Sequence, residues 1–306
     1  FFLINHADMF YNPFYNTTKL RKTRHPRFGN RLYRNENGRF TDISKEAGID
    51  GSGLNFGLGV SVSDLNNDGW PDILVTNDYN ERDFVYLNNR DGTFREVLTA
   101  AMGHISQSSM GCDIEDINND LLPDIMVLDM LAEDHKRQKL LKGPDPVRYA
   151  LMIDSGYYYQ NMRNVLQLNM GLLSDSIPWF SEIGQLAGVY KTDWSWAPLF
   201  ADFDNDGWKD LFITNGYLRD FTNMDFLKST FVNEQQKARE QYSAMDTMKL
   251  VNGLVTTKLN NYIFSNNGKL RFTNRIKEWG FDHTSISTGA AYADLDNDGD
   301  LDLVVC

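Results

Sequence analysis

Asp64-Leu65-Asn66-Asn67-Asp68-Gly69-Trp70-Pro71-Asp72 carries side-chain oxygens at its first, third, fifth and ninth positions and a glycine at its sixth. The stretch recurs as Asp202-Phe203-Asp204-Asn205-Asp206-Gly207-Trp208-Lys209-Asp210 and as Asp294-Leu295-Asp296-Asn297-Asp298-Gly299-Asp300-Leu301-Asp302. A looser copy is Asp116-Ile117-Asn118-Asn119-Asp120-Leu121-Leu122-Pro123-Asp124. In chain order these are loops 1 (64–72), 2 (116–124), 3 (202–210) and 4 (294–302). Each is followed by a short apolar run: Ile73-Leu74-Val75, Ile125-Met126-Val127, Leu211-Phe212-Ile213 or Leu303-Val304-Val305. Short runs rich in β-branched residues and bounded by turn residues read as strands. A small residue, Gly59, Gly111, Ala197 or Gly289, stands five positions before each copy, in what reads as a further strand.

A second unit alternates with the first. It reads Asn30-Arg31-Leu32-Tyr33-Arg34-Asn35, then Asn37-Gly38, then Arg39-Phe40-Thr41. Its counterparts are Phe84 to Asn88 with Asp91-Gly92, Tyr262 to Asn266 with Asn267-Gly268, and a looser Asn164 to Asn169. Asn-Gly and Asp-Gly between strand-like runs are hairpin signals. One repeat therefore has four strands, A to D: A enters the Asp-rich loop, B leaves it, and C and D form a hairpin.

The loops start 52, 86 and 92 residues apart. The irregularity has one source, the B-to-C connection, which is five residues at 78–82, 34 at 130–163 and 45 at 216–260. With each long connection cut to five, the period is about 52 to 57 residues, the size of a four-stranded propeller blade. The expected fold is an all-β propeller of four-stranded antiparallel blades, a fragment of a larger ring. Expected boundaries are 1–56 (strands B to D), 57–108, 109–195, 196–287 and 288–306 (strands A and B).

In a meandering antiparallel blade, successive connections alternate between two rims. The Asp-rich loops and C–D turns share one rim, and the B–C and D–A connections share the other. The insertions 6–29, 130–163 and 216–260 should therefore gather opposite the Asp-rich loops. Residues 219–250 and 131–142 are rich in helix formers, the latter until Gly143-Pro144 ends the pattern.

A chain of 306 residues that is 42% hydrophobic can bury a sizeable core. No apolar run approaches the length of a membrane span. The chain starts on Phe1 and ends on Cys306, each in an apolar run, so both ends are expected to lie inside a longer protein. Cys112 and Cys306 suggest neither a disulfide framework nor a zinc pattern. The net charge of −12 lacks the basic footprint that nucleic acid requires.

Oxygens at positions 1, 3 and 5 of a tight loop, a carbonyl at position 7 and an acid at position 9 suit a hard cation such as Ca²⁺. The candidate ligands are Asp64, Asn66, Asp68, Trp70 and Asp72; Asp116, Asn118, Asp120, Leu122 and Asp124; Asp202, Asp204, Asp206, Trp208 and Asp210; and Asp294, Asp296, Asp298, Asp300 and Asp302. Loops 1, 3 and 4 fit fully. Loop 2 has Leu121 where the turn favours glycine, so weaker binding or a changed turn is expected there. An EF-hand would need Glu at position 12, where Val75, Val127, Ile213 and Val305 stand instead. Asx-turns without metal are the plainer alternative. Against it, the fourteen acids at ligand positions exceed the net charge of −12, and clustered carboxylates repel unless neutralised.

These loops and hairpins resemble the FG-GAP/VCBS repeat family, whose blades carry the same Asp-x-Asp-x-Asp-Gly-x-x-Asp loop, as do the calcium-binding blades of integrin α subunits. The units from Asn30 to Phe40 and from Asp42 to Ile49 are similar to the bacterial branch found with ASPIC/UnbV domains, although no such domain is visible. The resemblance implies a propeller of about seven blades, at the cell surface, exported or periplasmic, binding Ca²⁺ and recognising a protein or glycan.

No His-Glu-x-x-His, phosphate-binding Gly loop or Gly-x-Ser-x-Gly occurs. His104 and His283 precede their loops by similar distances, which reads as structural. Trp194 and Trp196 suit packing better than sugar stacking. Tyr157-Tyr158-Tyr159 reads as a contact patch, and Lys19, Arg21, Lys22, Arg24 and Arg27 as a solvated basic run. The expectation is a non-enzymatic binding module. The alternatives are a propeller-based polysaccharide lyase or hydrolase, with acids of the insertions or His135 in play, and a structural spacer in a large surface protein.

Overall fold

A computed structural model describes residues 1–7, 17–141, 145–174, 176–220, 222–240 and 247–306. Three antiparallel four-stranded sheets follow one another along the chain. The first blade holds Gly57–Ser63, Asp72–Asn77, Phe84–Asn88 and Phe94–Glu96 as strands A to D. The second holds Cys112–Glu115, Asp124–Val127, Val165–Ser174 and Ile177–Glu182. The third holds Ser195–Ala201, Asp210–Asn215, Tyr262–Asn266 and Phe272–Asn274. A three-stranded sheet, Phe2–Leu3, Arg31–Glu36 and Arg39–Asp42, precedes them, and the pair Ala290–Ala293 and Asp302–Val305 follows. The fold is the all-β propeller architecture the repeat predicts.

Strand B explains why the blades stack. All six residues of Asp72–Asn77 are buried, so both faces of the strand need partners. Its side chains alternate between two interfaces. Ile73 and Val75 pack with Ala47 and Ile49 of the connection that follows the preceding sheet. Leu74 packs with Ile125, Val127 and Val165 of the second blade. Met126 and Leu128 of that blade turn to Leu211, Ile213 and Phe264 of the third. The core is thus a series of apolar layers between blades. Burying one such side chain contributes roughly 1.5–3 kcal/mol.

The small residues of strand A sit where neighbouring blades touch through backbone. Gly111 donates its N–H to the Trp196 carbonyl at 2.9 Å. A Cβ on Gly111 would lie 2.2 Å from that oxygen, and one on Gly59 would lie 2.9 Å from the Met110 carbonyl oxygen.

The insertions meet one another away from the Asp-rich loops. Residues 160–161 pair in parallel with 105–106, and 259–260 pair with 284–285, so B–C insertions knit to D–A connections on one rim. Arg21 donates to the Ser155 carbonyl and pairs with buried Glu81 at 3.3 Å, linking the first insertion to the second over the short 78–82 connection. Arg137 grips Asp193 through Nε at 2.6 Å and Nη2 at 2.8 Å and donates to the Tyr217 hydroxyl at 2.9 Å.

The helix-forming stretches of the insertions give His135–Leu140 in the second and, in the third, a π-helical turn Phe226–Phe231 running into Val232–Glu240, then Thr247–Asn252. Pro146–Asp154 is an additional helix beyond Gly143-Pro144, which lie outside the described residues. Asp145 caps it by accepting the Arg148 N–H, and Pro146 stands in its first turn. No helix among the described residues is long and apolar enough to cross a membrane.

Candidate metal loops

Each Asp-rich loop joins strands A and B, and its ninth residue is the first of strand B. Asp72 pairs with Ser63, Asp124 with Glu115, Asp210 with Ala201 and Asp302 with Ala293. The four loops share one scaffold of Asx-turns. The position-1 carboxylate accepts the N–H of residue 5: Asp64 from Asp68, Asp116 from Asp120, Asp202 from Asp206 and Asp294 from Asp298. Its other oxygen accepts the N–H of residue 6, at 2.6 Å from Gly69, 2.7 Å from Leu121, 2.9 Å from Gly207 and 3.2 Å from Gly299. The position-5 carboxylate accepts the N–H of Trp70, Leu122, Trp208 or Asp300. The position-9 carboxylate accepts the N–H of Leu65, Ile117, Phe203 or Leu295.

Leu121 holds the turn. Its φ is +70°, beside +86° at Gly69 and +90° at Gly207, and its side chain is 80% exposed. A changed turn in loop 2 is therefore not what the structure has.

Two features of the rim escape a reading of acids alone. Position 4 is Asn in every loop, and Asn67, Asn119, Asn205 and Asn297 all have left-handed backbone, φ +54° to +62°. Asn is among the few residues that take this region readily. Asn67 donates to the Leu121 carbonyl at 2.8 Å, Asn119 to the Gly207 carbonyl at 3.1 Å and Asn205 to Asp300 Oδ1 at 2.6 Å, so each loop holds the next. An asparagine within strand C works in the other direction. Asn169 donates to the Leu65 carbonyl at 3.0 Å, and Asn266 to the Ile117 carbonyl at 2.8 Å.

The loops differ in their acids. Among the described residues, Asp202, Asp204 and Asp210 each bring a carboxylate oxygen within 4.8 Å of the others, as do Asp294, Asp296 and Asp302. Loops 1 and 2 instead have an asparagine at position 3, whose amide donates to the position-5 carboxylate: Asn66 to Asp68 at 3.2 Å and Asn118 to Asp120 at 2.9 Å. Asn66 also reaches the Ser176 carbonyl of the long second-blade hairpin at 3.1 Å. Among the described residues its Oδ1 is buried without a hydrogen-bond partner.

Burial pushes the position-9 carboxyls up, to about 6 at Asp72, about 7 at Asp124 and about 6 at Asp210. Backbone N–H donors pull the other way, while the carboxylates at positions 1 and 5 of loops 1 and 2, and at positions 3 and 5 of loop 3, add to the push. In loop 3, burial and the carboxylates of Asp206 and Asp202 also raise Asp204. A divalent cation reverses this balance, because it favours the charged form of every acid around it. The donor set is oxygen throughout, and the unpartnered Asn66 oxygen adds an acceptor; both fit a hard cation.

The other candidates lie apart from the loops. His104 lies 3.3 Å from Glu182 and 2.9 Å from Arg163 in an ion-pair cluster. His135 is exposed at a helix start. Trp194 is buried against Tyr217 at 4.2 Å, and the Trp196 indole donates to the Gly216 carbonyl at 2.7 Å. Tyr157 is not part of a surface patch, since it is buried under Arg21.

The family model for the FG-GAP-like repeat matches residues 6–75, 64–127 and 254–305, together more than half of the chain. Integrin alpha-6 of Gallus gallus is 35% identical over 98 residues, 28% of this chain and 9% of that protein. Integrin alpha-6 of Homo sapiens is 38% identical over 92 residues, 26% of this chain and 8% of that protein. The matched stretch thus spans less than a tenth of the length of either relative. With its blades, its loops and these matches, the chain belongs to the FG-GAP-like repeat family.

Proposed function

We propose that this chain is a calcium-stabilised binding segment of a surface or exported protein, and that it recognises a protein or glycan through its insertion-bearing rim. The observation that carries the calcium reading is the common scaffold of the four loops, with oxygens at positions 1, 3, 5 and 9 in step. The ligands would be the side chains at positions 1, 3, 5 and 9 and the carbonyls of Trp70, Leu122, Trp208 and Asp300. A bound Ca²⁺ supplies charge neutralisation that clustered, partly buried carboxylates otherwise lack. Loops 3 and 4, with four acids at these positions, rank above loops 1 and 2, with three, because affinity follows ligand charge.

The relation to integrin alpha-6 supports a surface location and a binding role rather than turnover. The interlocked insertions offer a non-repeated surface away from the loops. Blade number and the boundaries 57–108, 109–195 and 196–287 belong to the same proposal. The test is thermal unfolding with calcium and with a chelator, beside a calorimetric ion count. Three or four ions, each adding about 2.7 kcal/mol at a hundredfold excess over its dissociation constant, is the expected result. No ion bound and no shift in unfolding overturns the calcium reading.

A further inference from the structure

Loop 1 differs from the others in what reaches it from outside. Arg90, in the C–D turn of the first blade, places Nη2 3.1 Å and Nε 3.4 Å from Asp68 Oδ2. The same oxygen accepts the Asn66 amide at 3.2 Å, while Asp68 Oδ1 accepts the Trp70 N–H at 3.0 Å. One oxygen of a candidate ligand is thus held by three N–H-bearing nitrogens, two of them on a full positive charge.

The backbone shows how unusual this is within the repeat. Arg90 donates its N–H to Asn88 Oδ1, as Gly171 does to Asn169 and Gly268 to Asn266. All three residues are left-handed, with φ of +67°, +82° and +68°. The second and third blades fill this slot with glycine, the residue it favours, and the first blade fills it with arginine. A non-glycine residue in a left-handed slot is strained, and such strain collects where a side chain is needed. Here that side chain lands on a loop whose Asn66, 7% exposed, keeps its Oδ1 without a partner among the described residues.

We propose that Arg90 is a built-in competitor for the cation of loop 1, which loads only as the guanidinium gives up Asp68 and so at higher calcium than loop 3. This rests on the calcium reading above. Once the guanidinium has given up Asp68, a cation between those carboxylates still faces its like charge a few ångströms away. Across a largely aqueous medium that repulsion weakens binding by about tenfold. In blade three Gly268 stands in the slot of Arg90 and has no side chain to reach its loop from there.

Terbium luminescence reads the two loops apart. Tb³⁺ takes oxygen ligands, and position 7 is tryptophan in loops 1 and 3 but Leu122 and Asp300 in loops 2 and 4. Trp208→Phe leaves Trp70 to report loop 1, and Trp70→Phe leaves Trp208 to report loop 3; both changes keep the backbone carbonyl. Adding Arg90→Gly should lower the half-saturating Tb³⁺ of loop 1 by about tenfold and leave loop 3 unmoved. Arg90→Asn, which also tolerates the left-handed backbone, should give the same shift. An unchanged loop 1, or an equal shift in both loops, overturns the role of Arg90. Absence of sensitised emission from both reporters overturns the cation reading itself.

Discussion

The side-chain amide of Asn67 donates to the carbonyl oxygen of Leu121, 2.8 Å away, and so ties the first Asp-rich loop to the second across a blade boundary. Two properties meet in that residue, a left-handed backbone and a hydrogen bond to the next blade. Asn67→Ala loses both and should cost about 1–2 kcal/mol of stability. Asn67→Gly keeps the backbone and loses only an exposed hydrogen bond, so about 0.5–1 kcal/mol is expected. Denaturant titration separates the two variants. Equal losses would mean that the left-handed backbone contributes nothing.

Leu121 supports the opposite prediction, a gain. A left-handed leucine costs roughly 1–2 kcal/mol, and glycine returns part of that as unfolded-chain entropy, about 0.4–1 kcal/mol. Its side chain is 80% exposed, so little packing is lost. Leu121→Gly should therefore stabilise the protein by about 1 kcal/mol, seen as a higher unfolding temperature in chelator. A lower temperature would show that Leu121 is not strained.

Asp83 gives a pH dependence. Burial pushes its carboxyl up to about 7, against hydrogen bonds from the Asn77 N–H and the Ser109 hydroxyl, with Asp129 adding to the push and Arg82 opposing it. A carboxyl raised on folding contributes stability that is fully present below its unfolded value, about 3.9, and lost as pH rises through about 7. The matching positions in the next two blades are Asn164 and Asn261. Asp83→Asn should therefore fold, and it should flatten the fall in stability between pH 4 and pH 8 by at most about 4 kcal/mol. Parallel slopes for the two proteins would show that Asp83 does not take up a proton on folding.

Arg137 joins the second insertion to the third blade. Its loss leaves Asp193 and Asp220, each only 5% exposed, without their guanidinium. Arg137→Met should destabilise by about 3–5 kcal/mol, because a buried charge loses its partner. Arg137→Lys keeps the charge but not the two-pronged contact and should lose less. Limited proteolysis should then cut within 130–163 first. A Met variant as stable as the parent would show that the contact adds nothing to the fold.

How far the sequence reveals this molecule follows from which interactions are local. Asp64 to Asp72 signals its turn because the carboxylate-to-backbone hydrogen bonds that shape the turn lie within nine residues. Ile73-Leu74-Val75 signals a strand but not that alternate residues serve two different cores, because those partners lie in other blades. Asn67 sits inside the repeated motif, yet its duty is to Leu121, 54 residues on. The Pro146–Asp154 helix had a local signal in Asp145-Pro146, masked by the Gly143-Pro144 break just before it. Tyr157 reads as surface until Arg21 is placed over its ring, a contact no local pattern contains.

Where strand B passes into strand C, one hydrogen bond closes every blade. The N–H of Asn77 reaches Asp83 at 2.8 Å, that of Asp129 reaches Asn164 at 2.8 Å, and that of Asn215 reaches Asn261 at 2.9 Å. The bond is the same whether five, 34 or 45 residues lie between its partners. Because the two ends are fastened locally, each doubling of the intervening chain adds only about 0.6 kcal/mol of closure entropy. Each clamp is therefore a graft point. The five residues at 78–82 can be exchanged for a longer foreign segment, provided that Glu81's contact with Arg21 is replaced, and the rim can change what it displays while the sheets beneath keep their register.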